Sequence, residues 1–226
     1  MYNFIEFLKI ALPEFWLGLW VTLRIAAVGL IIGALIGLPT AIIRVYSKGI
    51  FRTLSIAYTE VFRGVPLLVL LFVVYYGLPD LSITLAPMTA AYFALGINSG
   101  AYQAEYFRGA LQAISDGQMV AARSIGMGKI KAIYYVILPQ ALRLVLPSWS
   151  NEAISIVKYT AVVFVIAVPD LMTRAKVLSS KFYNPIEAYI SVAFFYIAIV
   201  GLMTIIMTVI ERKFQIPGMV IEKERN

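Results

Sequence analysis

The sequence predicts an all-α, polytopic membrane protein, and three observations carry that expectation. The chain of 226 residues is 61% hydrophobic and only 14% charged, with a mean hydropathy of +0.86, whereas soluble domains run at roughly 45–50% apolar and about 25% charged. Apolar stretches of about 20 residues, the length that crosses a bilayer as a helix, recur five times, at 17–43, 54–78, 85–103, 147–168 and 188–210. Lys and Arg stand mainly at the ends of these stretches, as membrane topology requires. Residues 1–226 therefore read as one transmembrane domain with no second, water-soluble unit.

The first span, 17–43, carries Gly29, Gly33 and Gly37, a ladder at i, i+4 that leaves one helix face bare and lets a neighbouring helix approach closely. Packing, not chemistry, is what such a stripe reports. Arg24, near the outer end, is long enough to snorkel to the interface.

The second span, 54–78, places Glu60 and Arg63 three residues apart on one helical face, where they can neutralise each other. Gly64 and Pro66 follow at once; the proline removes a backbone bond and its ring clashes with the carbonyl of residue 62. A helix broken at membrane depth is tolerated only where it packs in protein or lines a cavity, and transporters build substrate sites at such breaks. Glu60 and Arg63 are accordingly candidate substrate ligands, beside freed backbone groups able to hold both ends of a zwitterion; the alternative is a plain proline kink with a buried ion pair.

In the third span, 85–103, Asn98 and Ser99 offer uncharged hydrogen-bonding groups, Asn98 as a further candidate ligand or as a bond to a neighbouring helix. Glu105 and Arg108 repeat the three-residue spacing at its inner end. The long connection 113–139 reads as short helices between turns: Ser115, Asp116 and Gly117 form a turn, 118–125 a helix, Gly126 to Gly128 a second break, and 129–137 an amphipathic stretch ended by Leu138 and Pro139. Its polarity and length suit a docking element. The fourth span, 147–168, carries Glu152 and Lys158; Glu152, costly in hydrocarbon, is the fourth candidate ligand. Asp170, after Pro169, reads as a solvated turn residue.

Twelve Lys and Arg lie in the segments 44–52, 108–143 and the tail from Arg212, against four outside the membrane if the N-terminus is external. This asymmetry predicts an outside N-terminus and a cytoplasmic C-terminus. Residues 1–13 lack the features of a cleavable signal and are expected to be retained. The net charge of +7 belongs to topology and not to nucleic acid. With no histidine and no cysteine, the commonest general base and metal ligands are missing, and Asp80, Asp116 and Asp170 fall at span ends, unlike a paired aspartyl centre. No catalytic residue and no metal site is expected.

The order Gly117, Gln118, Met119, Val120, Ala121, Ala122, then Gly126, then Val136, Leu138 and Pro139 resembles the cytoplasmic motif of ABC importer permeases, written EAA, three residues, G, nine residues, I-x-LP. Val120 stands where that motif has glutamate. Arg63-Gly64-Val65-Pro66-Leu67-Leu68 is similar to the RGTPLL signature of the branch that imports polar amino acids, Tyr75-Tyr76-Gly77-Leu78-Pro79 to its YYGLP, and residues 102–109 to its aYxaExxRG. Asn151, Glu152, Lys158 and Thr160 fall where that branch has N-E and K-D-T-S-L, with Tyr159 and Ala161 replacing Asp and Ser.

The resemblance implies a type I ABC importer fold: five transmembrane helices with a cytoplasmic coupling helix formed by Gly117, Ala121, Ala122 and Gly126. It implies three partners: a separate ATPase subunit, an extracytoplasmic amino acid-binding protein, and a second permease copy or close paralogue. ATP and Mg would sit on the ATPase, since no G-x-x-x-x-G-K-[ST] phosphate cradle exists here, and this chain would carry no cofactor. The expected cargo is a polar, and by the negative potential of Glu60 and Glu152 a basic, amino acid; the alternative is a secondary transporter or channel, whose folds commonly show paired internal repeats that this sequence lacks.

Overall fold

The computed structural model describes residues 4–214. Lys223 and Arg225, two of the basic residues assigned to the tail, lie outside them.

Helix α1, Phe4–Tyr46, starts well before the predicted first span. At 1.5 Å per residue its 43 residues extend about 64 Å, roughly twice the hydrocarbon thickness, so one end must project from it. That projection is packed. Phe7 meets Phe182 edge-on at 6.3 Å and Phe15 meets Phe195 at 5.5 Å, so the early turns are held to two later helices.

The second span is two helices, not one. Helix α2, Ile50–Gly64, ends at Val65, whose extended backbone (φ −83°, ψ 127°) is what a residue before proline adopts. Helix α3, Leu67–Phe72, restarts after Pro66 and continues through a π turn, Val73–Gly77, and a 3-10 turn, Leu78–Leu81. The two halves lie at 103°. Missing hydrogen bonds at the proline, foreseen from the sequence, become a full change of direction.

Helix α4, Pro87–Ala113, is central, and longer than the predicted 85–103. Small residues line it where α1 crosses: a side chain added to Gly29 would come within 3.2 Å of Leu95 Cβ, one on Gly37 within 2.8 Å of the Gly100 carbonyl, and one on Gly96 within 2.5 Å of Ile32. The glycine ladder does what its spacing foretold.

Helix α5, Asp116–Ser124, is capped by Ser115, whose hydroxyl accepts the Gly117 N–H at 3.3 Å. It stops at Gly126, which adopts φ +88°; the Gly126 and Met127 amides then reach back to Arg123 and Ala122 carbonyls at 3.0 and 3.1 Å, a Schellman closure that needs the left-handed residue. Helix α6, Lys129–Ala132, passes through a π turn, Ile133–Ile137, into α7, Leu138–Leu144. The expected stop at Leu138 and Pro139 is corrected here: the wide turn places Pro139 in the first turn of α7, where its missing N–H costs little.

Helix α8, Leu146–Tyr159, lies at 57° across the join from the preceding helical stretch and tightens into a 3-10 turn, Thr160–Ile166. Helix α9, Leu171–Phe182, was not foreseen; it occupies the supposed outer loop, and α10, Pro185–Phe214, closes the chain. Asp170, taken as solvated, is fully buried. It caps α9 by accepting the Thr173 N–H at 2.8 Å, because Gly18 and Thr22 let α1 approach this helix start: Thr22 accepts the Leu171 N–H at 3.1 Å, and a Cβ on Gly18 would stand 2.9 Å from Leu171 Cα.

Among the described residues α1 and α10 are each long and apolar enough to cross a membrane alone, and the bent pairs 50–81 and 129–166 are so when each is taken together. One apolar core joins α1, α3, α4, α8, α9 and α10; a second, around Phe107, Leu111, Ile137 and Ala141, holds the Tyr46 end of α1 to α7.

Candidate functional site

The break between α2 and α3 opens a cleft of about 220 Å³, lined by Arg63, Gly64, Pro66, Asn98, Tyr102 and Tyr159. Its existence follows from the proline. Where α2 stops, its last carbonyls lose their helical donors, and α4 supplies replacements: the Asn98 amide donates to the Phe62 carbonyl at 2.9 Å. In the reverse direction, the Tyr58 hydroxyl donates to the Ile97 carbonyl at 2.7 Å. The Arg63 guanidinium lies 5.3 Å from the centre of the Tyr102 ring, a cation–π distance, and remains exposed on the cleft side.

Glu152 is set behind this cleft and is 4% exposed. It accepts a hydrogen bond from Ser99 at 2.6 Å, the residue after Asn98, and shares α8 with Tyr159 of the cleft wall. Among the described residues it has no ion-pair partner; Lys158 faces outward. A buried carboxylate without a cation is expensive.

Glu60 goes elsewhere. Its side chain is 66% exposed and its carboxylate stands 3.9 Å from Arg44, not at Arg63. The four candidate ligands thus separate: Arg63 and Asn98 share the cleft, Glu152 is buried against Ser99, the chain neighbour of Asn98, and Glu60 lies on the open face of α2.

Arg44, counted in the sequence only as a loop charge, is the joining residue at that level. It donates to Thr59 at 2.6 Å and to Glu105, while Glu105 also binds Arg108 at 2.8 Å, the pairing that its spacing suggested. Position 44 at a span end hid this, since nothing in a linear pattern says that α2 and α4 meet there. Gln103, Tyr102, Trp149 and Tyr159 were also passed over as candidates; only the i+4 relation of Gln103 to Ser99 would have signalled one of them.

In the segment expected to couple, Gly117, Ala121 and Gly126 are exposed and Ala122 turns inward at 4% exposure. Gly126 lies past the helix end and terminates it. Val120, Ile125 and Ile130 stand out at 63%, 75% and 83% exposure, an apolar display on an otherwise basic surface of Arg123, Lys129 and Lys131.

Residues 29–216 match the model of a family described as the binding-protein-dependent transport system inner membrane component. The chain belongs to that family. It is 36% identical over 215 residues to a probable amino-acid permease protein, YxeN, of Bacillus subtilis, covering 94% of this chain and 96% of the relative. It is also 36% identical over 199 residues to the arginine transport system permease protein ArtQ of Bacillus subtilis (88% and 91% covered), and 34% identical over 197 residues to a putative glutamine transport system permease protein, GlnP, of Rickettsia typhi (87% and 90%). Among solved structures, a chain of an amino acid ABC transporter crystallised with histidines superposes at TM-score 0.86 with 37% identity, over 94% of this chain and 99% of that one. An inward-facing MetNI methionine ABC transporter chain, at 22% identity and TM-score 0.77 over 90% and 99%, shares the fold. The architecture is the type I ABC importer permease fold, and the helix break, the cleft and the displayed α5 segment all lie within the family match.

Proposed function

We propose that this chain is the permease subunit of an ATP-driven importer of amino acids, selective for basic ones, and that the cleft at the α2–α3 break is its substrate site. The observation that carries the proposal is the juxtaposition of Arg63 in the cleft with the cation-free carboxylate of Glu152 behind it. Arg63 meets the substrate carboxylate, Asn98 and the freed backbone hold its α-amino end, and Glu152 receives a cationic side chain. Glu60, neutralised by Arg44 beside it, leaves the selection of a cation to Glu152. At about 220 Å³ the cleft is smaller than the roughly 300–1,000 Å³ of drug-sized sites, which suits a solute of few heavy atoms. Relatives carrying the names of arginine and glutamine permeases support an amino acid cargo.

The chain crosses the plasma membrane five times, by α1, the α2–α3 pair, α4, α8 with its 3-10 turn, and α10, with the N-terminus outside and the C-terminus in the cytoplasm. Ser148, Asn151, Lys158 and Tyr159 are exposed on one face of α8; polar groups at membrane depth face protein or water, not lipid, so a second permease copy covers this face. The α5 helix, with Gly117, Ala121, Ala122 and Gly126, couples to a separate ATPase that holds ATP and Mg, and a binding protein delivers cargo from outside. This chain carries no cofactor and performs no catalysis. The test is uptake by the complex in proteoliposomes: ATP-dependent entry of arginine is expected, and Glu152→Gln lowers it more than it lowers glutamine entry. Equal losses, or uptake driven by an ion gradient without ATP, would overturn the assignment.

A further inference from the structure

The hydrogen bonds behind Glu152 run in one direction only. The Trp149 indole N–H can only donate, and it donates to Gln103 Oε1 at 2.9 Å. The Leu30 carbonyl can only accept, and it accepts from Gln103 Nε2 at 3.1 Å. These two groups fix which way the Gln103 amide points, without recourse to any assigned hydrogen. The second N–H of that amide goes to the Ser99 hydroxyl at 3.0 Å. Ser99, accepting there, keeps its proton free for Glu152 Oε1 at 2.6 Å, to which it donates when that carboxyl is ionised. Gly33 makes the arrangement possible: a Cβ there would stand 2.4 Å from Gln103 Nε2 and 3.0 Å from Ser99 Oγ. All of these groups are buried or half-buried.

We infer that Gly33, Gln103 and Trp149 are positioning residues that lock Ser99 as a donor to Glu152, so that this carboxyl oxygen is an acceptor and the site receives a cation. The inference rests on the proposed function and deepens it, by naming what makes the site selective for a guanidinium or ammonium group over a neutral amide. Without the chain, Ser99 is free to turn its proton elsewhere, and the Glu152 oxygen that faces it is no longer held in one orientation. A cation then loses a fixed anchor, while a neutral amide, which can donate or accept, loses less. The glycine at 33 is therefore tied to chemistry as well as to helix packing.

The experiment is competitive uptake in proteoliposomes containing the complete complex, with arginine and glutamine as the probes, for wild type and for Trp149→Phe, Gly33→Ala and Ser99→Ala. The arginine-over-glutamine ratio is expected to fall about tenfold, the cost of one hydrogen bond to a charged group, and to fall through a raised KM for arginine. A general packing defect would depress both substrates alike. Ser99→Ala removes one oxygen and adds no bulk, so it keeps the question answerable where the larger changes unfold the chain. Ratios unchanged, or equal losses for both substrates in variants that melt like wild type, overturn the inference. A wild-type complex that takes up no basic amino acid overturns the underlying function, and the inference with it.

Discussion

The side-chain amide of Asn98 donates to the main-chain carbonyl of Phe62 at 2.9 Å, so the central helix supplies the hydrogen bond that the second span forfeits where it turns through 103°. Without that side chain the break would leave a main-chain carbonyl with neither a helical nor a side-chain donor.

Replacing Asn98 by leucine should therefore damage the site through the backbone. The half-buried Phe62 carbonyl would lose this donor, at a cost of about 0.5–1.5 kcal/mol, and the end of α2 would shift to find another. Thermal unfolding of the purified complex is expected to show a lowered midpoint, and substrate-stimulated ATP hydrolysis a raised KM. Asn98→Gln, with one more methylene, should retain part of both. An unchanged midpoint in Asn98→Leu would mean that Phe62 is not dependent on α4.

Arg44 tests a different kind of link. It bridges Thr59 of α2 and Glu105 of α4, with side-chain exposures of 17% for Arg44 and 15% for Glu105, so the pair is largely sheltered from solvent screening. Removing one partner strands the other, which for a buried pair costs about 3–5 kcal/mol; Arg108 still neutralises Glu105 here, so the lower end is expected. Arg44→Met should destabilise the complex, and Arg44→Met with Glu105→Gln should be more stable than the two single losses summed. Additivity within about 0.5 kcal/mol in that double-mutant cycle would show that the contact carries no coupling.

The sequence exposed those features that a one-dimensional pattern encodes: the apolar spans, the glycine face of α1, the break at Pro66 and the Glu105–Arg108 pair. It exposed Arg63, Asn98 and Glu152 as odd residues in oil, but joined Glu60 to Arg63 by their three-residue spacing. Both stand on α2 ahead of the break, but Arg44 of α1 draws Glu60 while Tyr102 of α4 takes Arg63, so the two part company through partners that a linear pattern does not show. Helix α9 went unseen because its stabilising surface, the Gly18 and Thr22 face of α1, lies some 150 residues away in sequence. Asp170 was misjudged for the same reason: as a turn residue it is ordinary, and only the approach of α1 buries it.

That burial makes Asp170 sensitive to pH. Loss of solvent pushes its carboxyl up from the ordinary aspartate range, and the hydrogen bonds it accepts from Thr173 and Met172 only partly oppose this. Its second oxygen is buried with no partner among the described residues. A folded state that holds the proton more tightly than the unfolded chain is favoured at acidic pH and loses that contribution as pH rises through the shifted value. Asp170→Asn keeps a capping oxygen for α9 and removes the ionisation. The variant should melt higher than wild type at neutral pH, with the gap closing as pH falls toward the aspartate range; a gap that grows on acidification contradicts the burial argument.

The end of α5 separates two roles that glycine plays in one segment. Gly126 holds φ +88° with open space around it, so Gly126→Ala costs about 1 kcal/mol for the left-handed backbone and not for a clash. At Gly117, an added Cβ would meet only Ser115 Oγ at 3.4 Å, an ordinary contact, in a helical position where alanine is the better residue. If α5 is the element that meets the ATPase, Gly126→Ala should loosen its last turn and raise the ATP hydrolysed per amino acid moved, toward futile cycling, with substrate affinity in the cleft unaltered. Gly117→Ala should leave the helix intact and act only by adding a methyl to an exposed surface. Calorimetric binding of purified ATPase to each variant separates these outcomes: a weakened complex for Gly117→Ala with normal helix content locates position 117 in the contact, while equal affinity for both variants and wild type would place the contact elsewhere on the Val120, Ile125 and Ile130 surface.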